Sequence, residues 1–235
     1  MKYDFNLRYT DCFDLATCSK YELTTTQNDF INNLSMLLDE FRVPASTAES
    51  IAYSLLMRMG DTRLHYHTPV HILGIFQFCQ EQAEDAPKLN ILQELALWFH
   101  DAIYIPDAQH GLNECQSADF AISLLKMWLP QDADLEVRRH IIATASHTTS
   151  LPYPTTDEHI LDLDIWNFSS SFENFMCMGE LIRQEFKHVS DEDFQKGRLS
   201  FMKQMQDKPS IYRTPYFKTH YEEAARKNIQ ALLNP

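Results

Sequence analysis

Four segments of the chain carry residues able to do chemistry together. "HYHTPVH" places His67 and His71 four residues apart. "ELALWFHDAIY" is an apolar run that ends in His100 and Asp101, and "HILDLDIWNF" is another, interrupted by Asp162 and Asp164. "RRHIIATASH" sets His140 and His147 seven apart. Burying such groups costs several kcal/mol unless they are paired or bound. Neutral imidazole is the commonest protein metal ligand. Imidazole with carboxylate suits Mn, Fe, Co, Ni or Zn, and less exclusively Mg.

Each piece also has a plainer reading. His67 and His71 can be surface or capped histidines near a helix start. His100 and Asp101 can form an ion pair, or Asp101 can cap the next turn. One of Asp162 and Asp164 can be a cap or surface residue, while the other needs a partner if buried. His140 and His147 share one face of an uninterrupted helix, because seven residues are nearly two turns. They are candidates for a second metal or for substrate phosphate, His147 at the helix end being the better one. Glu114, soon after the His-Asp pair, either orients water or a ligand histidine or simply favours the positive end of a helix. Arg183, Arg198 and Arg226 could fork onto phosphate, or serve in ordinary ion pairs.

The elements that must position these groups read as helices throughout. "TQNDFINNLSMLLDEF" puts Phe30, Ile31, Leu34, Leu37, Leu38 and Phe41 on one side at helical spacing. "STAESIAYSLLMRMG" suggests a capping box from Ser46 to Glu49 and a stop at Gly60. Thr68-Pro69 suits a cap followed by the first helical position. The helix over "LNILQELALWFHDAIY" follows. Another is expected from Asn113, with Gln116 three residues on, and one behind an Asp cap before "ADLEVRRHIIATASH". Further starts fall near "DEHILDLDIWNF", at Ser170 or Ser171, at Ser190 and at Thr214-Pro215. The stripe Lys126–Leu129 reads as core, and "TTSLPYPTTDE" reads as a loop. No stretch alternates like a strand with hairpin turns. The expectation is one all-α domain over 1–235, with about nine or ten helices, a site core over about 47–168 and a C-terminal helical extension over about 169–235.

Composition narrows the function classes. Of 235 residues, 44% are hydrophobic and 23% charged, so a sizeable core can form. A formal net charge of −13 disfavours general nucleic-acid binding, but leaves room for a small phosphorylated substrate if a metal supplies local positive charge. The five glycines lie far apart, so no dinucleotide fingerprint, P-loop or G-x-S-x-G elbow exists. Five cysteines without a C-x-x-C argue against a disulfide framework and favour a reducing cytoplasm. No signal peptide or membrane span is expected. Secretion by a route without an N-terminal signal would leave no trace in the sequence.

The ordered set His71, His100-Asp101 and Asp164 resembles the H…HD…D pattern of the HD-domain metal-dependent phosphohydrolase superfamily. "YHTPVHI" is similar to a Tyr-His-Asn-x-x-His segment of cyclic-nucleotide phosphodiesterases, distant members of it. Thr68 stands where that motif has asparagine. This separates the chain from the cyclic-nucleotide enzymes more than from the wider superfamily. More narrowly, "YHTPVHI", "LALWFHDAIY", "NECQSA", "LDLDIWNF", "IRQEF", "GRLSFM", "IYRTPYF" and "EEAARKNI" resemble a bacterial family of predicted HD phosphohydrolases. These pieces span roughly Tyr66 to Ile229.

The resemblance implies an HD-like helical bundle and a divalent metal ion held by His71, His100, Asp101 and Asp164. Asp162 is the second choice for the last ligand. It also implies His67 as the acid that protonates the leaving oxygen, and a small phosphorylated substrate such as a nucleotide, attacked by metal-activated water. Two other readings stand beside it. One is an HD-type di-iron oxygenase, which would need extra ligands at His140, His147 or Glu114. The other is a non-catalytic, metal-stabilised module that binds a ligand or partner.

Overall fold

The computed structural model describes residues 3–12, 14–147 and 157–234, so the expected loop lies almost wholly outside the described residues. Among the described residues there are eleven α-helices, two short 3-10 turns and no strand. Helices α1 (Lys20–Asp39), α2 (Ala45–Met59), α3 (Pro69–Glu81) and α4 (Ile91–Phe99) are followed by α5 (Leu112–Leu125), α6 (Ala133–Ala143) and α7 (Glu158–Asp164). Then come α8 (Phe172–Glu185), α9 (Asp191–Asp207), α10 (Pro215–His220) and α11 (Glu222–Leu233). No helix is long and apolar enough to cross a membrane.

Local chemistry explains most of the boundaries. Ser19 and Glu22 form a reciprocal capping box, so α1 begins six residues before the expected Thr26. Asn90 and Gln93 do the same for α4. Ser171, Ser190 and Thr214 cap α8, α9 and α10 with their hydroxyls. The expected box at Ser46 is absent. Pro44 takes the cap position, which leaves Ser46 inside α2, where its carbonyl accepts from the Ser50 hydroxyl. Helix α5 starts at Leu112 behind Gly111 rather than from Asn113, whose side chain instead bonds the backbone of Ile105. Asp132 precedes α6 in a left-handed conformation without capping it. The last expected helix is two, because the chain breaks at Tyr221 between α10 and α11. That break makes the count eleven instead of nine or ten.

The core forms where α1 packs on α2, α3 and α4, with α6 against α4 and α5. Trp98 is its centre: it stacks on Phe76 at 5.0 Å and meets the edge of Phe30 at 5.0 Å. Tyr3, from the N-terminal segment, packs on both Phe76 and Trp98, and its hydroxyl donates to Glu94 at 2.6 Å. Aromatic pairs of this kind add roughly 0.5–1.5 kcal/mol each beyond their burial. They lock α4 in rotation and depth, two residues before His100. The Lys126–Leu129 stripe is corrected in part. It follows the end of α5, where Trp128 and Leu129 pack on the core but Met127 is 79% exposed.

The N-terminal segment is held against the helices from outside. Gly74 lets it cross α3 closely: a Cβ there would come within 2.8 Å of the Tyr9 carbonyl oxygen. Cys12 forms a disulfide with Cys177 of α8, which corrects the expectation drawn from the cysteine pattern. The pair is 165 residues apart, so only tertiary packing brings the two Cα atoms to 6.4 Å. Cys18, Cys79 and Cys115 are free thiols.

His159 of α7 sits in this core against the edge of Phe217, with its Nδ1 lacking a hydrogen-bond partner among the described residues. Burial pushes its pKa down from 6.5 to about 4. Its folded pKa lies below its unfolded one, so the stability it contributes is complete above pH 6.5 and is lost as pH falls towards 4. We expect this group alone to cost about 2 kcal/mol of stability between pH 7.5 and pH 5. Urea unfolding of the wild type and of His159→Leu at both pH values checks this. The variant should lose that much less on acidification, and an identical loss would exclude His159 as the source.

Candidate metal centre

Four side chains from three helices and one junction converge. His71 stands in the first turn of α3, set by Pro69 at the first helical position. His100 closes α4 and Asp101 follows it, while Asp164 ends α7. One ligand atom from each of the four lies within 4.8 Å of the others. His71 Nε2 is 3.1 Å from Asp164 Oδ1 and 3.8 Å from Asp101 Oδ2. His100 Nε2 is 3.1 Å from Asp101 Oδ2 and 3.2 Å from Asp164 Oδ1. Both histidines are buried, and both carboxylates are nearly so.

The donor set fits a divalent cation. Two carboxylates brought this close in a low-dielectric interior repel unless positive charge stands between them. His100 donates from Nδ1 to the Leu97 carbonyl at 2.8 Å, which leaves Nε2 as the lone-pair nitrogen facing the cluster. The group could therefore hold a metal ion. Without one, its charges fall back on each other. Burial disfavours the His100 imidazolium, but the adjacent Asp101 and Asp164 outweigh it and hold the His100 pKa well above the ordinary value. Burial likewise works against the Asp164 carboxylate, and His100 reverses this, keeping Asp164 well below the usual range. Asp101 is lowered by His100 in the same way.

The neighbouring aspartate has another task. Asp162 and Asp164 are two residues apart on α7, so they point about 200° apart around the helix. Asp162 faces away from the cluster and accepts from the Arg213 N–H at 2.7 Å, the Thr214 N–H at 2.8 Å and the Thr214 hydroxyl at 2.7 Å. It ties the entry of α10 to α7.

His140 and His147 also separate. Helix α6 ends at Ala143 and continues as a 3-10 turn, which breaks the shared face that an unbroken helix would give. His140 is fully buried between Asp157 and Glu136, away from the cluster. His147 reaches the cluster instead, with Nε2 2.8 Å from Asp164 Oδ2.

His67 stands beside the centre and is held by a residue that carried no role in the sequence reading. Glu185, at the end of α8, accepts from the backbone N–H groups of His65, Tyr66 and His67 at 2.9, 2.7 and 2.9 Å through Oε1. Its Oε2 lies 2.7 Å from His67 Nδ1. Tyr104 stacks flat on the His67 ring at 3.5 Å between centroids. Burial disfavours the charged form of His67, but Glu185 foremost, with Asp101 and Asp164, raises its pKa overall. Glu185 is itself held down by His67 despite burial. The one signal for Glu185 in the sequence was its place in "IRQEF", with no pattern linking it to a histidine 118 residues away.

The centre opens into a cavity of about 560 Å³. His67, Asp101, Tyr104, Glu114, His147 and Asp164 line one part of it. The rest is mostly apolar wall from α8, α9 and the 3-10 turn at Trp166–Ser169. Comparison with protein-family models, with curated proteins and with solved structures gives no match to this chain.

The two aspartates of α7 should respond oppositely to removal. Asp164→Ala, like Asp101→Ala, should abolish binding of added Mn²⁺ or Zn²⁺ while keeping the helical circular-dichroism spectrum. Asp162→Ala should retain the ion but cost about 2–4 kcal/mol of stability, since it strands three donors, two of them buried. Isothermal titration and urea unfolding of the variants separate the two. Full metal stoichiometry in Asp164→Ala would remove it from the ligand set.

Proposed function

We propose that the chain is a metal-dependent phosphoric ester hydrolase of the HD type, acting on a small phosphorylated compound such as a nucleotide. One observation carries the reading: a buried two-histidine, two-aspartate cluster opens into a ligand-sized cavity with a carboxylate-held histidine beside it. A cavity of this size suits a small molecule. His71, His100, Asp101 and Asp164 would hold the ion. When bound, it supplies a hydroxide nucleophile near neutral pH and neutralises phosphoryl charge.

The remaining chemistry belongs to side chains. His67 carries the proton for the leaving oxygen on Nε2, since Nδ1 is committed to Glu185. Glu185 favours the charged imidazole and fixes its ring plane, while Tyr104 covers one ring face. Glu114 and His147 also line the cavity, and in this reading they orient water or phosphate oxygens. A di-iron oxygenase would require more ligands than these, and His140 is already bound to Asp157 and Glu136.

Two kinetic outcomes follow, both read with Mn²⁺-loaded protein and aryl phosphates. His67→Ala should keep its metal but slow turnover by roughly 10²–10⁴-fold, most for poor leaving groups that need the proton. Equal slowing for good and poor leaving groups would exclude its acid role. Glu185→Gln removes the charge that raises the His67 pKa. Because a general acid must stay protonated, the alkaline fall of the pH–rate profile should move to lower pH in that variant. An unmoved alkaline limb would show that Glu185 has no part in setting the acid.

A further inference from the structure

The far wall of the cavity contains a cation that the proposed hydrolysis does not use. Arg198 of α9 has a side chain only 10% exposed, and it lines the cavity. Its nearest acidic group is Glu180 Oε1 at 3.9 Å, itself 66% exposed, and its guanidinium makes no hydrogen bond among the described residues. The other two candidate arginines are occupied. Arg183 binds Asp191 and the carbonyls of Phe186 and Val189. Arg226 binds Glu222 and the carbonyls of Gln206, Lys208 and Pro209. A guanidinium carries five donors in a fixed fork that matches a carboxylate or phosphate, and these donors are open to the cavity.

The fold makes a seat for this group. The guanidinium lies against Gly179 of α8 so closely that a Cβ there would fall 1.9 Å from Nη2, 2.4 Å from Cζ and 2.8 Å from Nη1. Only glycine allows the position. Burial and Glu180 are the influences on Arg198, and no carboxylate of the metal cluster is among them. Between the two polar ends, the wall includes Phe168, Phe175, Phe194, Phe201, Met178 and Met202. Thr144, Asn167 and Asp193 add polar groups to the lining, but most of this surface is apolar and suits an apolar ring.

We propose that Arg198, seated on Gly179, is a specificity-determining anion anchor. The substrate class is then a phosphate ester of an apolar, ring-containing body that bears a second oxyanion, a carboxylate or another phosphate, away from the scissile group. The substrate part of this inference rests on the phosphohydrolase reading; the anion site itself does not. It narrows the small-phosphate class towards amphipathic dianions.

Two measurements test it separately. The first is calorimetric binding of 4-phenylbenzoate and of its neutral amide to metal-free protein. The carboxylate should bind about tenfold or more tightly than the amide, in line with a charge-assisted pair. Arg198→Met should erase that preference and Arg198→Lys should keep part of it. Gly179→Ala should also erase it while retaining the charge, because it displaces the guanidinium. All variants must keep the wild-type helical spectrum. Equal affinity for acid and amide in the wild type, or a preference that survives Arg198→Met, would overturn the anchor.

The second measurement compares KM for 4′-carboxybiphenyl-4-yl phosphate and biphenyl-4-yl phosphate with Mn²⁺-loaded protein. A lower KM for the carboxylate, lost in Arg198→Met, supports the substrate class. Turnover of both esters with equal KM overturns it. With an Arg198-dependent binding preference, cleavage of simple aryl phosphates but of neither biphenyl ester would overturn the substrate class alone. No turnover of any aryl phosphate would sink the phosphohydrolase reading with it, and either result would leave the anion site standing.

Discussion

The structure depends on the approach of two buried carboxylates, Asp101 and Asp164, to the same two imidazoles. Ligand atoms of all four groups fall within 4.8 Å of one another in an interior that screens charge poorly. Such an arrangement persists only if positive charge compensates it, from a bound cation or from protonated histidine. The elevated pKa of His100 and the depressed pKa of Asp164 are the protein's own compensation. The rest of the fold keeps these groups from relaxing apart. Trp98 and its aromatic neighbours hold α4, Pro69 sets the start of α3, and Asp162 ties α7 to the entry of α10.

A second constraint joins the C-terminal helices to this centre. Glu185 accepts three consecutive backbone N–H groups and one imidazole, so the His65–His67 segment cannot be described apart from α8. A carboxylate with that many donors is both oriented and kept ionised. The same helix carries Gly179, whose bare Cα seats Arg198, and Cys177, which links it to the N-terminal segment. Helix α8 therefore contributes to the setting of His67, to the far cavity wall and to the tie across the molecule. The C-terminal region thus adds Glu185 and much of the cavity wall to a metal cluster that lies wholly before it.

Much of the secondary structure was legible because its causes are local. Helical spacing of Phe30, Leu34 and Leu37, hydroxyl caps at Ser190 and Thr214, and Pro69 at a helix start each act over a few residues. The misses were of two kinds. Some were competitions between local choices, as where Pro44 rather than Ser46 starts α2. Others were changes of phase: a 3-10 turn after Ala143 rotates His147 towards Asp164 and leaves His140 with Asp157. A periodicity argument assumes one unbroken helix, so it cannot detect such a change.

By itself, the sequence determined that the chain is all-helical, and it singled out His71, His100, Asp101 and one of Asp162 and Asp164 as ionisable residues needing partners. Both follow from short-range rules: helical period, capping chemistry and the cost of burying charge. Only the tertiary structure decided which partners they have. It turned Asp164 rather than Asp162 to the cluster, chose His147 over His140, and supplied Glu185 to His67 across 118 residues. It also paired Cys12 with Cys177 and left Arg198 facing a cavity, with no hydrogen bond among the described residues. These outcomes depend on how distant helices pack, and packing is set by the whole core rather than by any window of the chain.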